Sequence, residues 1–281
     1  MASPVAGGGT VAGGAPTIRH WVPSGGDDAP VAWVLDLDGA VWLSGEAIPG
    51  SAEAVRRLRE AGHKVVFVTN NSSAYVRDQE AKLAAIGIEA EGDVMTSALA
   101  AASVLEPGTS AVVCGGAGVR EALEQRGVRP LTEGPADAVV VGFHHEFDYE
   151  RLRVAHHAVH HGARLVGTND DPTLPSSDGP VPGAGAILAA VATAAGIVEP
   201  EVAGKPYTPM VDLVRSAVGE GDHVVVGDRP STDGRLARNL GARFCLVFSG
   251  ATSPDDLPAD PEPDAVADDL ASLVEAELGG Q

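Results

Sequence analysis

Trp33-Val34-Leu35-Asp36-Leu37-Asp38-Gly39 is an apolar run that ends in two carboxylates one residue apart, followed by glycine. Such a run predicts a strand that delivers charge to its own carboxyl end. Side chains at i and i+2 of an extended chain leave on the same face, so Asp36 and Asp38 can converge on one atom. Gly39 lets the backbone turn away without a Cβ clash. Two neighbouring carboxylates repel unless a cation or a reacting group lies between them. A plain Asp-Gly turn is the simplest alternative. A calcium loop fails on register: counted from Asp36, positions 5, 6 and 12 are Ala40, Val41 and Ala47, where that loop needs Asp or Asn, Gly and Glu.

The chain has 281 residues, long enough for two domains, and its 44% hydrophobic content fits a soluble globular protein. A net charge of −20 argues against nucleic acid and anionic membranes as partners. Nine acidic and no basic residues fall in 251–281. Only Lys64, Lys82 and Lys205 among the 19 basic residues are lysine, so a lysine stands out against an arginine background. Cys114 and Cys245 lie in separate apolar runs without Cys-x-x-Cys spacing, which predicts buried thiols in a reducing compartment, the cytoplasm. Residues 1–30, rich in Gly, Ala and Pro, read as a disordered tail and not as an export signal. No apolar stretch reaches the roughly 20 residues needed to cross a bilayer.

Outward from the opening run, Ser51 begins a helical spacing as a plausible N-cap, and Gly62 stops it. Lys64–Thr69 is a strand of the fully buried kind that ends in Thr69-Asn70-Asn71-Ser72-Ser73, and a helix follows over 76–86. This alternation predicts a parallel sheet with right-handed crossovers, in which ligands sit beyond the carboxyl ends of the strands. The pattern returns late: Asp222–Gly227 is a strand ending in Asp228-Arg229-Pro230-Ser231-Thr232-Asp233-Gly234, followed by a helix to about 240 and a strand over 242–247. Between the halves, strands are expected at 110–114, 138–142 and 164–168, and helices at 117–126, 149–161 and 184–195. A structureless stretch of that length is implausible inside a compact domain. The expected organisation is therefore a tail (1–30), a core domain in two parts (31–107 and 202–281), and a separate inserted domain (108–201) over the sheet's carboxyl edge.

Asp36/Asp38, Thr69-Asn70-Asn71, Gly204-Lys205-Pro206 and Asp228/Asp233 thus all fall at or beside strand ends. Carboxylates with one lysine and one hydroxyl suit a phosphoryl group bound with Mg²⁺, which favours hard oxygen ligands. Taken singly, Thr69–Asn71 could cap the next helix, Lys205 could be a solvated loop residue and Asp233 an N-cap. Their coincidence points to one site.

The order Asp36-Leu37-Asp38-Gly39, Thr69-Asn70-Asn71-Ser72, Gly142-Phe143, Thr168-Asn169, Pro182-Gly183, Gly204-Lys205-Pro206 and Gly227-Asp228-Arg229 with Thr232-Asp233 resembles the haloacid dehalogenase superfamily. Within it, the pattern resembles the branch of small-molecule phosphatases that includes p-nitrophenyl phosphatase, phosphoglycolate phosphatase, pyridoxal phosphatase and bacterial nucleotide and glycerol 3-phosphate phosphatases. It runs from about residue 32 to 274. The resemblance implies an α/β fold: a Rossmann-like parallel sheet core carrying an inserted α/β cap. It implies Asp36 as nucleophile and Asp38 as general acid and base. Mg²⁺ would be held by the Asp36 carboxylate, the Asp38 backbone carbonyl and Asp228, with Asp233 supporting through water. Thr69, Asn70, Asn71 and Lys205 would bind the phosphate of a small-molecule ester. A homodimer through the cap domain is an open arrangement. Ala40 stands where the family often has Thr or Val, and Gly234 where an apolar residue is common. The resemblance also implies that Asp171-Pro172-Thr173-Leu174-Pro175 occupies the inserted domain's loop that helps select substrate. Leu174 falls where pyridoxal phosphatases carry a substrate-contacting histidine, which disfavours pyridoxal phosphate.

Glycerol 3-phosphate or phosphoglycolate is the first expectation for the substrate, and nucleoside monophosphates the second. A phosphate-ester sensor that kept the fold and lost turnover is the non-enzyme alternative. Six histidines in 144–161 include the i, i+4 pairs His156/His160 and His157/His161, spaced to bind a transition metal.

Overall fold

The structure is a computed structural model that describes residues 23–26, 29–43, 45–174 and 179–279. Most of the expected tail, and Pro175 at the end of the Asp171–Pro175 loop, lie outside the described residues. Within the tail, Ser24 donates from its backbone N and its Oγ to Asp222 Oδ2, at 2.5 and 2.6 Å.

Six parallel strands form the larger sheet, in the order Ala265–Ala267, Arg243–Val247, His223–Gly227, Ala32–Asp36, Lys64–Thr69, Val94–Thr96. The first strand in sequence lies at the centre, and register places Asp36 beside Val68 and Leu35 beside Val226. Consequently Asp36, Thr69 and Asp228 leave the sheet at one edge. The central strands are buried throughout, which explains why they read as unbroken apolar runs and not as alternations.

A second sheet of five parallel strands runs Glu201–Val202, Arg164–Gly167, Ala138–Val141, Ser110–Cys114, Arg129–Leu131. Its helices Tyr149–His160 and Ala184–Ala195 cover one face and form a separate apolar cluster. The other face shares a single cluster with the larger sheet through the helices Ser97–Ser103 and Ala117–Arg126. Ala98, Ala100, Ala101 and Ala102 are all buried there, and small side chains let the two helices approach closely. The edge strands Arg129–Leu131 and Glu201–Val202, the helices Ser97–Ser103 and Thr208–Val218, and the hairpin pairing Thr173–Leu174 with Val181–Pro182 are additions to the sequence reading.

Ser51 is not a cap. Gly50 is the N-cap, in the left-handed region at φ 81°, and Ser51 is the first helical residue. The close approach of Ala271, whose Cβ would lie 2.8 Å from a Cβ on residue 50, favours glycine there. Gly234 also has a steric reason: a Cβ would stand 2.9 Å from the Phe244 ring and 2.8 Å from Pro261. Phe244 and Pro261 therefore fill the space that an apolar side chain at 234 would need. Among the described residues no helix is long and apolar enough to cross a membrane.

Candidate active site

Asp36 ends its strand with its side chain 8% exposed, and Lys205 Nζ donates to its Oδ1 at 2.5 Å. The same ammonium donates to Asp233 Oδ1 at 2.6 Å. Asp228 completes the group: among the described residues, Asp36, Asp228 and Asp233 bring three carboxylate oxygens within 4.8 Å of one another. Asp233 arrives from the wide turn Pro230–Gly234 and is fixed by the Arg229 backbone N–H, 3.1 Å from its Oδ2. Asp228 Oδ2 accepts from the Ala251 N–H at 2.5 Å. Neither aspartate is a helix cap.

Backbone without side chains makes room for this charge. A Cβ on Gly39 would stand 2.4 Å from Asp228 Oδ2, one on Gly250 2.1 Å from the same oxygen, and one on Gly227 2.2 Å from Asp233 Cγ. Gly39 is also left-handed, at φ 104°, so the Asp38-Gly39 step both turns the chain and clears the carboxylate.

Three carboxylates around one ammonium leave the site short of positive charge. Burial pushes Asp36 well above the ordinary carboxylate range, and the nearby Asp233 and Asp228 add to this while Lys205 opposes it. Asp228 is pushed up to about 6, by burial first and by Asp233 second. Burial works against charge on Lys205, but Asp233 and Asp36 outweigh it and hold the ammonium above its usual value. All the converging carboxylate oxygens are hard donors, the set that suits Mg²⁺, and a divalent cation offsets the mutual repulsion that adds to burial in raising Asp36 and Asp228. The residues fit that ion.

Asp38 points elsewhere. Its Oδ1 accepts from Trp42 Nε1 at 3.0 Å, and it lines the cavity while exposed, unlike the buried Asp36, Asp228 and Asp233. The surrounding walls still raise its carboxyl above the ordinary value, with the Trp42 bond opposing. A cavity of about 320 Å³ lies over the group, lined by Asp36, Asp38, Thr69, Asn70, Asn71, Lys205, Asp228 and Asp233. Every sequence-predicted site residue therefore meets one space.

Asn70 is engaged differently from expectation. Its Nδ2 donates to Asp171 Oδ2 at 2.9 Å and to the Lys205 carbonyl at 3.2 Å, while its Oδ1 accepts from Lys205 N at 2.8 Å. With both amide protons and its oxygen used, this side chain fastens the lysine loop to the smaller sheet's loop and has no donor left for a phosphate. Thr69 Oγ1 accepts from Asn71 N at 3.0 Å and keeps its own proton to give. Asn71 Oδ1 takes Ser73 N and Oγ, at 3.0 and 2.8 Å, leaving its amide protons available. The Thr69–Ser73 string is thus a seam and not a cap: the next helix starts at Val76 with Tyr75 as N-cap. Thr168 Oγ1 donates to Ser72 Oγ at 3.0 Å, and Asn169 Nδ2 to the Asn70 carbonyl at 2.7 Å.

Leu43, Ser73, Phe143, His145, Arg229 and Thr232 also line the cavity. Sequence reasoning gave them no role, although Phe143, Arg229 and Thr232 stand inside the motifs that carry the family resemblance and Ser73 ends the polar string after the Lys64–Thr69 strand.

A haloacid dehalogenase-like hydrolase model matches residues 33–129, and a HAD-hydrolase-like model matches 202–273. An acid sugar phosphatase from Staphylococcus saprophyticus is 33% identical over 237 residues, which is 80% of this chain and 89% of the relative. A D-glycerol 3-phosphate phosphatase from Mycobacterium tuberculosis is 36% identical over 253 residues, covering 85% and 70%. A glycerol phosphate phosphatase from the same organism, solved in complex with magnesium, aligns with a TM-score of 0.79 at 32% identity over 86% of this chain and 75% of that one. A 4-nitrophenylphosphatase from Thermotoga maritima aligns with a TM-score of 0.82 at 34% identity, over 89% and 98%. The chain belongs to the haloacid dehalogenase-like hydrolase family and, within it, to the phosphoric monoester hydrolases.

Proposed function

We propose that the chain hydrolyses small phosphorylated metabolites with Mg²⁺, through an aspartyl phosphate on Asp36. The observation that carries this reading is the convergence of Asp36, Asp228 and Asp233 around Lys205 beneath a cavity that Asp38 also lines. A carboxylate oxygen of Asp36 forms a bond to phosphorus while the ester oxygen leaves with its bonding pair and takes a proton from Asp38. Asp38, now a carboxylate, takes a proton from a water whose oxygen attacks phosphorus. That step releases Asp36 and inorganic phosphate. The raised carboxyl of Asp38 supports the acid role, because it must begin protonated. Asp36, the Asp38 carbonyl and Asp228 would hold Mg²⁺ with Asp233 in support, and the ion supplies charge neutralisation at the phosphoryl oxygens. Lys205 holds Asp36 in place and adds a compact positive charge. Thr69 and Asn71 offer the phosphate donors.

General-acid help matters most for poor leaving groups. Asp38→Asn is expected to slow phosphoenzyme formation more for an alkyl phosphate than for p-nitrophenyl phosphate. Single-turnover rates of that step check it, and equal losses count against the acid role.

Glycerol 3-phosphate and phosphoglycolate are the favoured substrates in this reading, with nucleoside monophosphates as the alternative. A cavity of about 320 Å³ lies at the low end of ligand pockets, which supports a small ester, and the D-glycerol 3-phosphate phosphatase relative supports the first of the two. Hydrolysis rates across a panel of such esters decide among them. Buried free thiols at Cys114 and Cys245 support a reducing, cytoplasmic location.

The loop that carries Asp171 and Leu174 is assigned the choice of leaving group. Leu174 lines the cavity and is the cleaner probe, because Asp171 also holds Asn70 and through it the Lys205 loop. Leu174→Ala should change relative kcat/KM among phosphate esters by about tenfold, or about 1.4 kcal/mol of differential transition-state binding. Mg²⁺ dependence should stay as it is. A proportional loss for all esters would refute the assignment.

A further inference from the structure

Four of the nine histidines fall within six residues, at 156, 157, 160 and 161, at the carboxyl end of the Tyr149–His160 helix. The proposed reaction uses none of them. Helical spacing puts i and i+4 on one face, and the His157 and His161 ring centroids lie 4.2 Å apart, both side chains exposed. His161 Nδ1 is 2.8 Å from the His157 carbonyl oxygen. A carbonyl can only accept, so this bond places the proton on Nδ1 and leaves the Nε2 lone pair to solvent. A hydrogen bond of this kind is what orients a metal-binding imidazole. The unsatisfied carbonyls of a helix carboxyl end favour a cation as well.

We propose that His157 and His161 chelate a divalent transition ion of the borderline class that includes Zn²⁺, Ni²⁺ and Cu²⁺, on the outer surface of the smaller sheet's helical layer. Among the described residues only Asp36, Asp228 and Asp233 bring three ligating side chains within 4.8 Å, so the imidazole site is two-toothed and water completes it. Donor chemistry sorts the two ions: hard carboxylate oxygens take Mg²⁺, and imidazole nitrogens take the softer ion. The sites are also far apart. Phe143 and His145, just before the helix, line the catalytic cavity, whereas His157 and His161 follow the helix's first residue, Tyr149, by roughly 12 and 18 Å along the axis at about 1.5 Å per residue. His156 and His160 form the poorer pair, with centroids 5.7 Å apart and His156 Nδ1 buried without a partner. A bound ion ties the last turn of the helix together and stabilises the fold by binding the native state.

Zn²⁺ titrated calorimetrically into the full-length, Mg²⁺-saturated protein tests this, with thermal melting as a second readout. Expected are one zinc ion per chain and a raised Tm. His157→Gln with His161→Gln removes both linked ligands, so it should weaken that binding by well over about tenfold and abolish the Tm rise. His156→Gln with His160→Gln should keep both, and so should Asp228→Asn. Unchanged zinc binding in the His157/His161 variant overturns the proposal, as does loss of binding in the His156/His160 variant or in Asp228→Asn. None of these readouts depends on phosphatase turnover, so they stand or fall apart from the proposed reaction.

Discussion

Asp36→Asn is expected to lower turnover by at least about three orders of magnitude, because an amide oxygen neither attacks phosphorus as a carboxylate does nor leaves as one in the second step. The substitution is nearly isosteric, so the fold should survive it. Removing one of three crowded carboxylates also relieves repulsion in a site where Asp36 and Asp228 are held above their ordinary range. The loss is therefore chemical and not a loss of structure. Steady-state hydrolysis of p-nitrophenyl phosphate at saturating Mg²⁺ measures it, with acid-quench trapping of phosphoprotein alongside. Wild type should trap label and the variant none. If the variant keeps more than about a tenth of wild-type turnover, Asp36 is not the nucleophile. Removal of Mg²⁺ by a chelator should abolish wild-type turnover too.

The central strands and their charged ends were legible in sequence because a strand buried on both faces must be an apolar run, and the polar residue that follows marks its carboxyl end. Asp36, Thr69 and Asp228 sit at one sheet edge for that reason. The helix Ser97–Ser103 was not legible: it is buried nearly all round, so Ser-Ala-Leu-Ala-Ala-Ala-Ser shows no polar stripe to reveal a period. The edge strands Arg129–Leu131 and Glu201–Val202 are too short to show one. The true partners of Asn70 could not be read either, since Asp171 and Lys205 lie 101 and 135 residues away. A motif gives a side chain's neighbourhood, but its free donors depend on what the rest of the chain has already used. The clearance that Gly39, Gly227 and Gly250 provide is of the same kind, visible only once Asp228 and Asp233 are seen against the backbone.

Lys205→Met should cost about 3–5 kcal/mol of stability, the range for removing one partner of a buried charge pair. The surface-pair discount does not apply: the side chains of Lys205, Asp36 and Asp233 are 4%, 8% and 2% exposed. Methionine matches the stem in size, so the loss is electrostatic, leaving Asp36 Oδ1 and Asp233 Oδ1 without the ammonium that both now use. The pH dependence separates this cause from a packing defect. Stripped of lysine, the buried Asp36 and Asp228 carboxyls, whose rise the ammonium now opposes, move further above their unfolded values, and a raised carboxyl gives stability that is present at low pH and lost as pH increases through the folded value. The variant's deficit should therefore be largest near pH 8 and shrink towards pH 5, where the carboxyls can take up protons. Urea unfolding of wild type and variant at several pH values, without added metal, gives the difference directly. A deficit that stays constant across this range would mean that the lysine contributes packing and not charge. In that case the ammonium could not be what holds Asp36 and Asp233 together.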